Sequence, residues 1–306
     1  MALGLDANAY TTNDHTAYLF ECTDHFYEGL DELMDYVQNP YFTDQNVEKE
    51  KGIIGQEIGM YDDDPGWQLY INAMDCLYEK NPIKVDTAGT VETISGINPE
   101  MLYKCYNTFY HPSNMMIFIV GNIEADKAMT VIKENQAKKN FAPAKPIVCQ
   151  KNIEPCNIKI KENVLTMDVE MNKIIVSIKV NEILNDPKLK IRRELAINLL
   201  FDLLFSKSAK LYNDWLNEGI INDSFSANFT QERDYAFIQI GCDCDDYETL
   251  KEHILTLIQN FQNIEISKND FERIKKKNIG LFINLFNGPE SIANLFSRYY
   301  FEGICS

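Results

Sequence analysis

Glu50 and Glu57 are the residues whose type and spacing could do chemistry. They lie seven positions apart in residues 44–61, where apolar side chains recur with a helical period. At about 100° per residue, with Glu50 at zero, Val47 falls near 60°, Ile53 near −60°, Ile54 near 40°, Glu57 near −20°, Ile58 near 80° and Tyr61 near 20°. The spacing therefore sets both carboxylates inside the apolar stripe, with Glu48, Lys49, Lys51 and Gln56 on the outer face. Burying a carboxylate costs several kcal/mol unless a cation or strong donors meet it. Two arrangements satisfy that requirement. Each Glu is met by a core Arg, Lys or backbone N–H, or one ligates a divalent cation while the other orients the site. Periodicity leaves both open.

The elements that must position this helix follow from punctuation and pattern. Thr43 and Asp44 are N-cap types before it. Residues 8–20 alternate and predict a strand or hairpin. Helical patterns cover 29–38 and 67–78, the latter after Asp64-Pro65-Gly66, and another starts at Asn98-Pro99-Glu100. Met115 to Val120 is six apolar residues ending at Gly121-Asn122, which reads as a buried strand and a turn. Residues 141–158 carry Pro143, Pro146 and Pro155 and read as a linker between a domain at 1–140 and another at 159–306. In the second half a strand is expected at 173–180, helices at 187–205, 208–217, 247–261, 270–286 and 289–300, and a hairpin from 224–229 and 235–242. Strands and helices mixed in both halves, with hairpins, indicate two α+β domains, each an antiparallel-rich sheet packed with helices.

The composition narrows the function classes. The chain has 306 residues, 45% hydrophobic and 25% charged, with a formal charge of −17. That is globular usage at a length that suits two domains. The acidic balance disfavours nucleic acid and anionic membrane surfaces as partners. Residues 1–14 lack the basic and apolar parts of a secretory leader, and no run approaches the roughly 18 apolar residues of a membrane span. Cys22, Cys76, Cys105, Cys149, Cys156, Cys242, Cys244 and Cys305 form no CxxC pair, and a reduced, cytoplasmic setting is expected. Cys242 and Cys244 share a strand face, where packing is the expected role. GxGxxG, GxxxxGK[ST] and GxSxG are absent.

Four ordered motifs carry a family resemblance: Asn8-Ala9-Tyr10-Thr11 with His15-Thr16-Ala17-Tyr18; Val47 to Ile58, read VEKEKGIIGQEI; Tyr110-His111-Pro112-Ser113-Asn114-Met115; and Ser208-Ala209-Lys210-Leu211-Tyr212 with Glu218-Gly219-Ile220. Together they resemble the pitrilysin/insulinase zinc metallopeptidases, or inverzincins, most of all bacterial members that work as paired subunits. In that family two histidines of an H-x-x-E-H helix and a distal Glu hold zinc, and the motif's own Glu activates the zinc-bound water. The resemblance implies zinc as cofactor, Glu57 as the distal metal ligand, and Glu50 as the supporting carboxylate of the same helix. It implies that a peptide substrate is laid as an added strand along Asn8, Ala9 and Tyr10, with a homologous peptidase subunit as a possible partner. The second domain is implied to bind no zinc.

The sequence departs from the family where the chemistry should be, because it contains no H-x-x-E-H. The nearest run, His25-Phe26-Tyr27-Glu28-Gly29, ends in glycine where the second histidine belongs. It also stands too close to Glu57, which only 56 residues precede. Truncation ahead of the motif is therefore expected, and the stop at Ser306 suggests a cut second end. His15 is expected on the substrate edge strand, His25 near a helix start, His111 in a turn and His253 on a helix surface; none is expected to bind metal. The Arg and Tyr that relatives aim at the substrate carbonyl have no evident counterpart, since Leu216, Ile220 and Asn222 stand near their places; Tyr212 stays a candidate. The expectation is a peptidase fragment inert by itself. Its rivals are a non-catalytic subunit or scaffold, and an unrelated acidic protein with a structural Glu pair.

Overall fold

The computed structural model describes residues 3–150 and 152–304; Cys305 and Ser306, named above, lie outside them. In chain order its elements are β1 (Asp6–Thr11), β2 (Thr16–Glu21), α1 (Phe26–Gln38), α2 (Asp44–Asp62), α3 (Pro65–Leu77), α4 (Val91–Ser95), α5 (Pro99–Phe109), α6 (Ala125–Ala137), β3 (Lys173–Lys179), α7 (Pro187–Phe205), α8 (Lys210–Asn217), β4 (Ser226–Gln231), β5 (Ala236–Asp243), α9 (Tyr247–Gln259), α10 (Lys268–Asn284) and α11 (Pro289–Phe301). Helices combined with small antiparallel sheets make this an α+β fold. Two compact units result: Met1–Tyr61 with Val85–Lys151, and Asp62–Lys84 with Asn152–Ser306.

In the first unit β1 and β2 form an antiparallel hairpin, registered from Asp6 opposite Glu21 to Thr11 opposite Thr16. Helix α1 lies hard against it. A Cβ on Gly29 would stand 2.7 Å from Leu5 Cδ1 and 3.1 Å from Phe20, so a larger residue there would have to push the Leu5 side chain and the Phe20 ring aside. The core joins Leu30 and Met34 of α1 to Ala128 of α6, with Phe20 and Ile132 against them. Full burial of each large side chain contributes about 1.5–3 kcal/mol. A polar seam completes the helix pair: buried Asn135 donates to Asp31 Oδ1 at 2.8 Å and Asp35 Oδ1 at 2.9 Å, and Lys139 closes on Asp35 at 2.7 Å. Residues 115–120 correct the expectation of a buried strand. They join no ladder among the described residues, and Met115, Ile117 and Phe118 are exposed. A six-residue apolar run shows the wish to be covered, but a strand also needs a neighbour to bond.

In the second unit the sheet order is β3-β5-β4, antiparallel throughout. Central β5 is covered on both faces. Ile240 and Cys242 join Tyr212, Trp215, Leu250 and Ile254, while Phe237 joins Met74, Leu77, Tyr78 and Ile83. Period two assigns these sets to opposite sides. Helix α7 starts where Asp186 accepts from Lys188 N and Leu189 N and Pro187 takes the first helical position. No helix or strand occurs between Ala137 and Lys173 among the described residues. One residue of that stretch is nonetheless firmly held. Glu154 accepts the backbone N–H groups of Glu79, Lys80 and Asn81 and the Lys179 ammonium, each at 2.8 Å. Burial pushes its carboxyl up, but the ammonium and the three N–H groups outweigh that and bring the pKa down to about 2.

Cys242 and Cys244 pack in the core, as expected of that pair, and the described cysteines are free thiols. Burial, with Cys242 beside it, pushes the Cys244 thiol up to about 11. No described helix is long and apolar enough to cross a membrane.

Candidate functional site

Helix α2 begins in a reciprocal cap. Thr43 Oγ1 accepts the Asn46 N–H at 3.2 Å, and Asn46 Oδ1 accepts the Thr43 N–H at 2.7 Å. Its buried positions are Val47 and Ile58, and Ile54 and Tyr61 are half-buried. The buried face is thus centred on the side of Val47 and Ile58, not on Glu50. Glu50 and Glu57 are both exposed, which corrects the expectation that they are buried. Ile53 had drawn the stripe toward them, yet it is 49% exposed. On the other flank Lys51 folds in, donating to Ser95 O at 3.0 Å and Glu48 at 2.5 Å. Its four-carbon stem covers surface that the pattern had reserved for apolar residues.

Seven residues apart, the two carboxylates stay on adjacent positions of one helix face, but their surroundings differ. Glu57 Oε1 accepts from the Tyr61 hydroxyl at 3.3 Å, one turn on. The Glu57 charge, helped by burial and that hydrogen bond, raises the pKa of Tyr61. Glu50 has no hydrogen-bond or ion-pair partner among the described residues. The i,i+4 spacing of Glu57 and Tyr61 was the signal for this contact, and pattern reading had used Tyr61 only as a stripe member.

The hairpin supplies a second element. Thr12 donates its N–H to His15 O at 2.8 Å, which fixes the alternation of the ladder. Counting back through the register, Tyr10 and Asn8 turn their main-chain groups to β2, and Ala9 turns its groups to the open edge. Ala9 N–H is met there by Asn8 Oδ1 at 2.8 Å. Every residue of β1 is exposed.

The histidines are scattered. His15 lies in the hairpin turn and not on the strand, with Nδ1 2.6 Å from Asp14 Oδ1. His25 precedes α1 with φ 56°. His111 accepts from Ser113 N at 3.1 Å and lies 3.0 Å from Ala142 O. His253 is half-buried, edge-on to Trp215 at 5.7 Å, so it is not the surface residue expected. No three His, Cys, Asp or Glu side chains come together as a metal site among the described residues. A zinc ion needs three or four such donors, so the set present does not fit one, and Glu57 is at most one ligand.

In the second unit Tyr212 is a core residue, Leu216 is exposed, and Asn222 donates to Asp243 O at 2.6 Å. No Arg–Tyr pair stands at these positions.

Family models match in succession along the chain: "Insulinase (Peptidase family M16)" over residues 1–90 and "Peptidase M16 inactive domain" over 96–278. The chain belongs to the M16 peptidase family. It is 41% identical over 298 residues to the Bacillus subtilis (strain 168) protein called uncharacterized zinc protease YmfH, an alignment covering 97% of this chain and 69% of the relative. A crystal structure of an M16-like peptidase from Alicyclobacillus acidocaldarius superposes with TM-score 0.93 at 34% identity, over 99% of this chain and 71% of the other. A protease structure from Helicobacter pylori, 19% identical, shares the fold with TM-score 0.84 over 99% of this chain and 73% of its own. M16 membership thus joins an N-terminal peptidase-type segment to the inactive-type domain.

Proposed function

We propose that this chain is part of a zinc-dependent M16 peptidase that hydrolyses peptide bonds, and that by itself it is catalytically inert. On this reading residues 1–140 belong to the peptidase domain, 141–158 link, and 159–306 form the domain that binds no zinc. Glu57 is the carboxylate offered to the metal, Glu50 supports it from one helix face, and the Ala9 edge of β1 receives the substrate main chain. The observation that carries the reading is the exposure of Glu57, held by Tyr61 alone among the described residues, on a chain whose 41%-identical relative is called a zinc protease. The remaining donors are supplied by a H-x-x-E-H helix that this sequence does not contain. A peptide is the implied partner, in the cytoplasm, with no role for nucleic acid or membrane. The test is to join or pair the chain with an M16 segment bearing that helix. Zinc-dependent cleavage that Glu57→Gln abolishes supports the proposal; cleavage indifferent to Glu57→Gln removes it.

A second reading rests on the inactive-domain match over residues 96–278. Here the chain is a non-catalytic subunit that pairs with an active homologue. It requires a stable complex whose activity survives Glu57→Gln, so the same variant separates the two.

A further inference from the structure

Two stretches of the first unit share one helix layer without being bonded to each other. Phe20 of β2 and Ile119 both pack on the core made by Leu30 and Met34 of α1 and Ala128 of α6. Neighbouring strands on a common layer lie about 4.8 Å apart and exchange main-chain hydrogen bonds. Here none is exchanged. β2 has β1 on one side and no strand on the other among the described residues. Tyr18 and Phe20 stand opposite Ala9 and Ala7 and turn their main-chain groups away from β1, where no backbone partner among the described residues meets them. Met115 leaves the Pro112–Asn114 turn with an extended backbone, φ −125° and ψ 152°. Beyond it Met116, Ile117, Ile119 and Val120 form no backbone hydrogen bond among the described residues. The hydroxyls of Tyr18 and Tyr110 meet at 2.8 Å, so long side chains, not main chain, join β2 to the stretch that leads into Met115.

Water can meet open main-chain groups, but it does not suit the side chains beside them. Residues 115–120 hold no polar side chain, and Met115, Ile117 and Phe118 are exposed. Sheet edges that stay open carry a charge, a proline or a bulge, and 115–120 contains neither charge nor proline. An edge of this kind is one that another strand covers. The alignment with the Bacillus subtilis relative takes in 97% of this chain but 69% of the relative, whose remaining length lies outside it. We propose that the M16 segment bearing the H-x-x-E-H helix docks by inserting a β-strand between β2 and residues 115–120. Its main chain bonds Tyr18 and Phe20 on one side and the 115–120 backbone on the other. Its alternate residues are apolar and lie beside Phe20 and Ile119 on the α1–α6 core. The identity of the strand rests on the peptidase reading; the gap it fills does not.

Hydrogen exchange read by mass spectrometry compares the 306-residue chain with the same chain joined to an M16 segment bearing that helix. In the chain alone the amides of 116–120, Tyr18 and Phe20 should exchange freely. In the joined protein both sets should slow together by about tenfold or more, while central β5 stays as it was. Successive residues of a strand turn their N–H groups to opposite edges, so one of Met116→Pro and Ile117→Pro should abolish the protection. Neither N–H is bonded in the chain alone, so its thermal midpoint should hold in both variants. A joined protein whose 116–120 amides still exchange freely, or protection that both prolines leave intact, overturns the proposal. Protection that grows with the concentration of the unjoined chain assigns the edge to a second copy and overturns it too. Protection without zinc-dependent cleavage upholds the strand and removes the peptidase reading; cleavage with freely exchanging 116–120 removes the strand alone.

Discussion

The side chain of Asn8 accepts the backbone N–H of Ala9 at 2.8 Å, on the open edge of β1. An edge strand that bonds its own outward donor is shielded from chance pairing, yet the bond is exposed and exchangeable. An incoming peptide needs that N–H. Ala9→Pro removes the donor at a position where proline is tolerated, since the N–H does not serve the β2 ladder. Fluorescence anisotropy of a labelled peptide should show affinity falling about tenfold in Ala9→Pro and rising a few-fold in Asn8→Ala, with unchanged circular dichroism. Peptide binding unaffected by Ala9→Pro would place substrate elsewhere.

Glu57 and Tyr61 make a titratable pair at 3.3 Å. The carboxylate disfavours the tyrosinate and so raises the Tyr61 pKa. Glu57→Gln removes the charge, and the pKa of Tyr61 should fall toward the ordinary value of about 10. Carbon-13 tyrosine NMR across alkaline pH reads this directly. A pKa that does not move would mean that the carboxylate is not beside the ring.

The Glu154 clasp ties 79–81 to 154 and Lys179 within the second unit, with side chains only 15% and 4% exposed. Glu154→Gln should cost on the order of 2–3 kcal/mol at pH 7 in urea unfolding. The sign follows from a lowered folded pKa. The contribution is full above the ordinary value of 4.5 and is lost as pH falls through about 2. The gap between parent and variant should therefore close from pH 5 downward; a gap that widens with acid would contradict the clasp.

Thiol reactivity should follow burial. At pH 8, iodoacetamide should modify Cys105, Cys149 and Cys156 first, while Cys244, with its pKa pushed up to about 11, and buried Cys242 stay protected until denaturant is added. Peptide mapping by mass spectrometry checks the order.

Much of the fold was legible because its signals were local. Asp186 with Pro187 announces α7, Asn98 with Pro99 announces α5, and alternation announces the β1–β2 hairpin. Helix α6 gave a weak signal, since its buried positions are Ala128 and Asn135, a small residue and a polar one that matter only against Asp31 and Asp35 of α1. The site was legible in identity but not in environment. Spacing put Glu50 and Glu57 on one helix face, as they are, yet the stripe was centred by Ile53, an exposed residue, and missed Lys51 folding inward. Burial depends on what packs against a helix, and periodicity states only which residues share a side.

The most direct test of the peptidase reading is zinc content and cleavage measured together on the purified 306-residue chain. Elemental analysis should find far less than one zinc per chain after dialysis, and a fluorogenic peptide library should show no chelator-sensitive cleavage. One tightly held zinc per chain, with cleavage that stops on adding o-phenanthroline and returns with zinc, would contradict it.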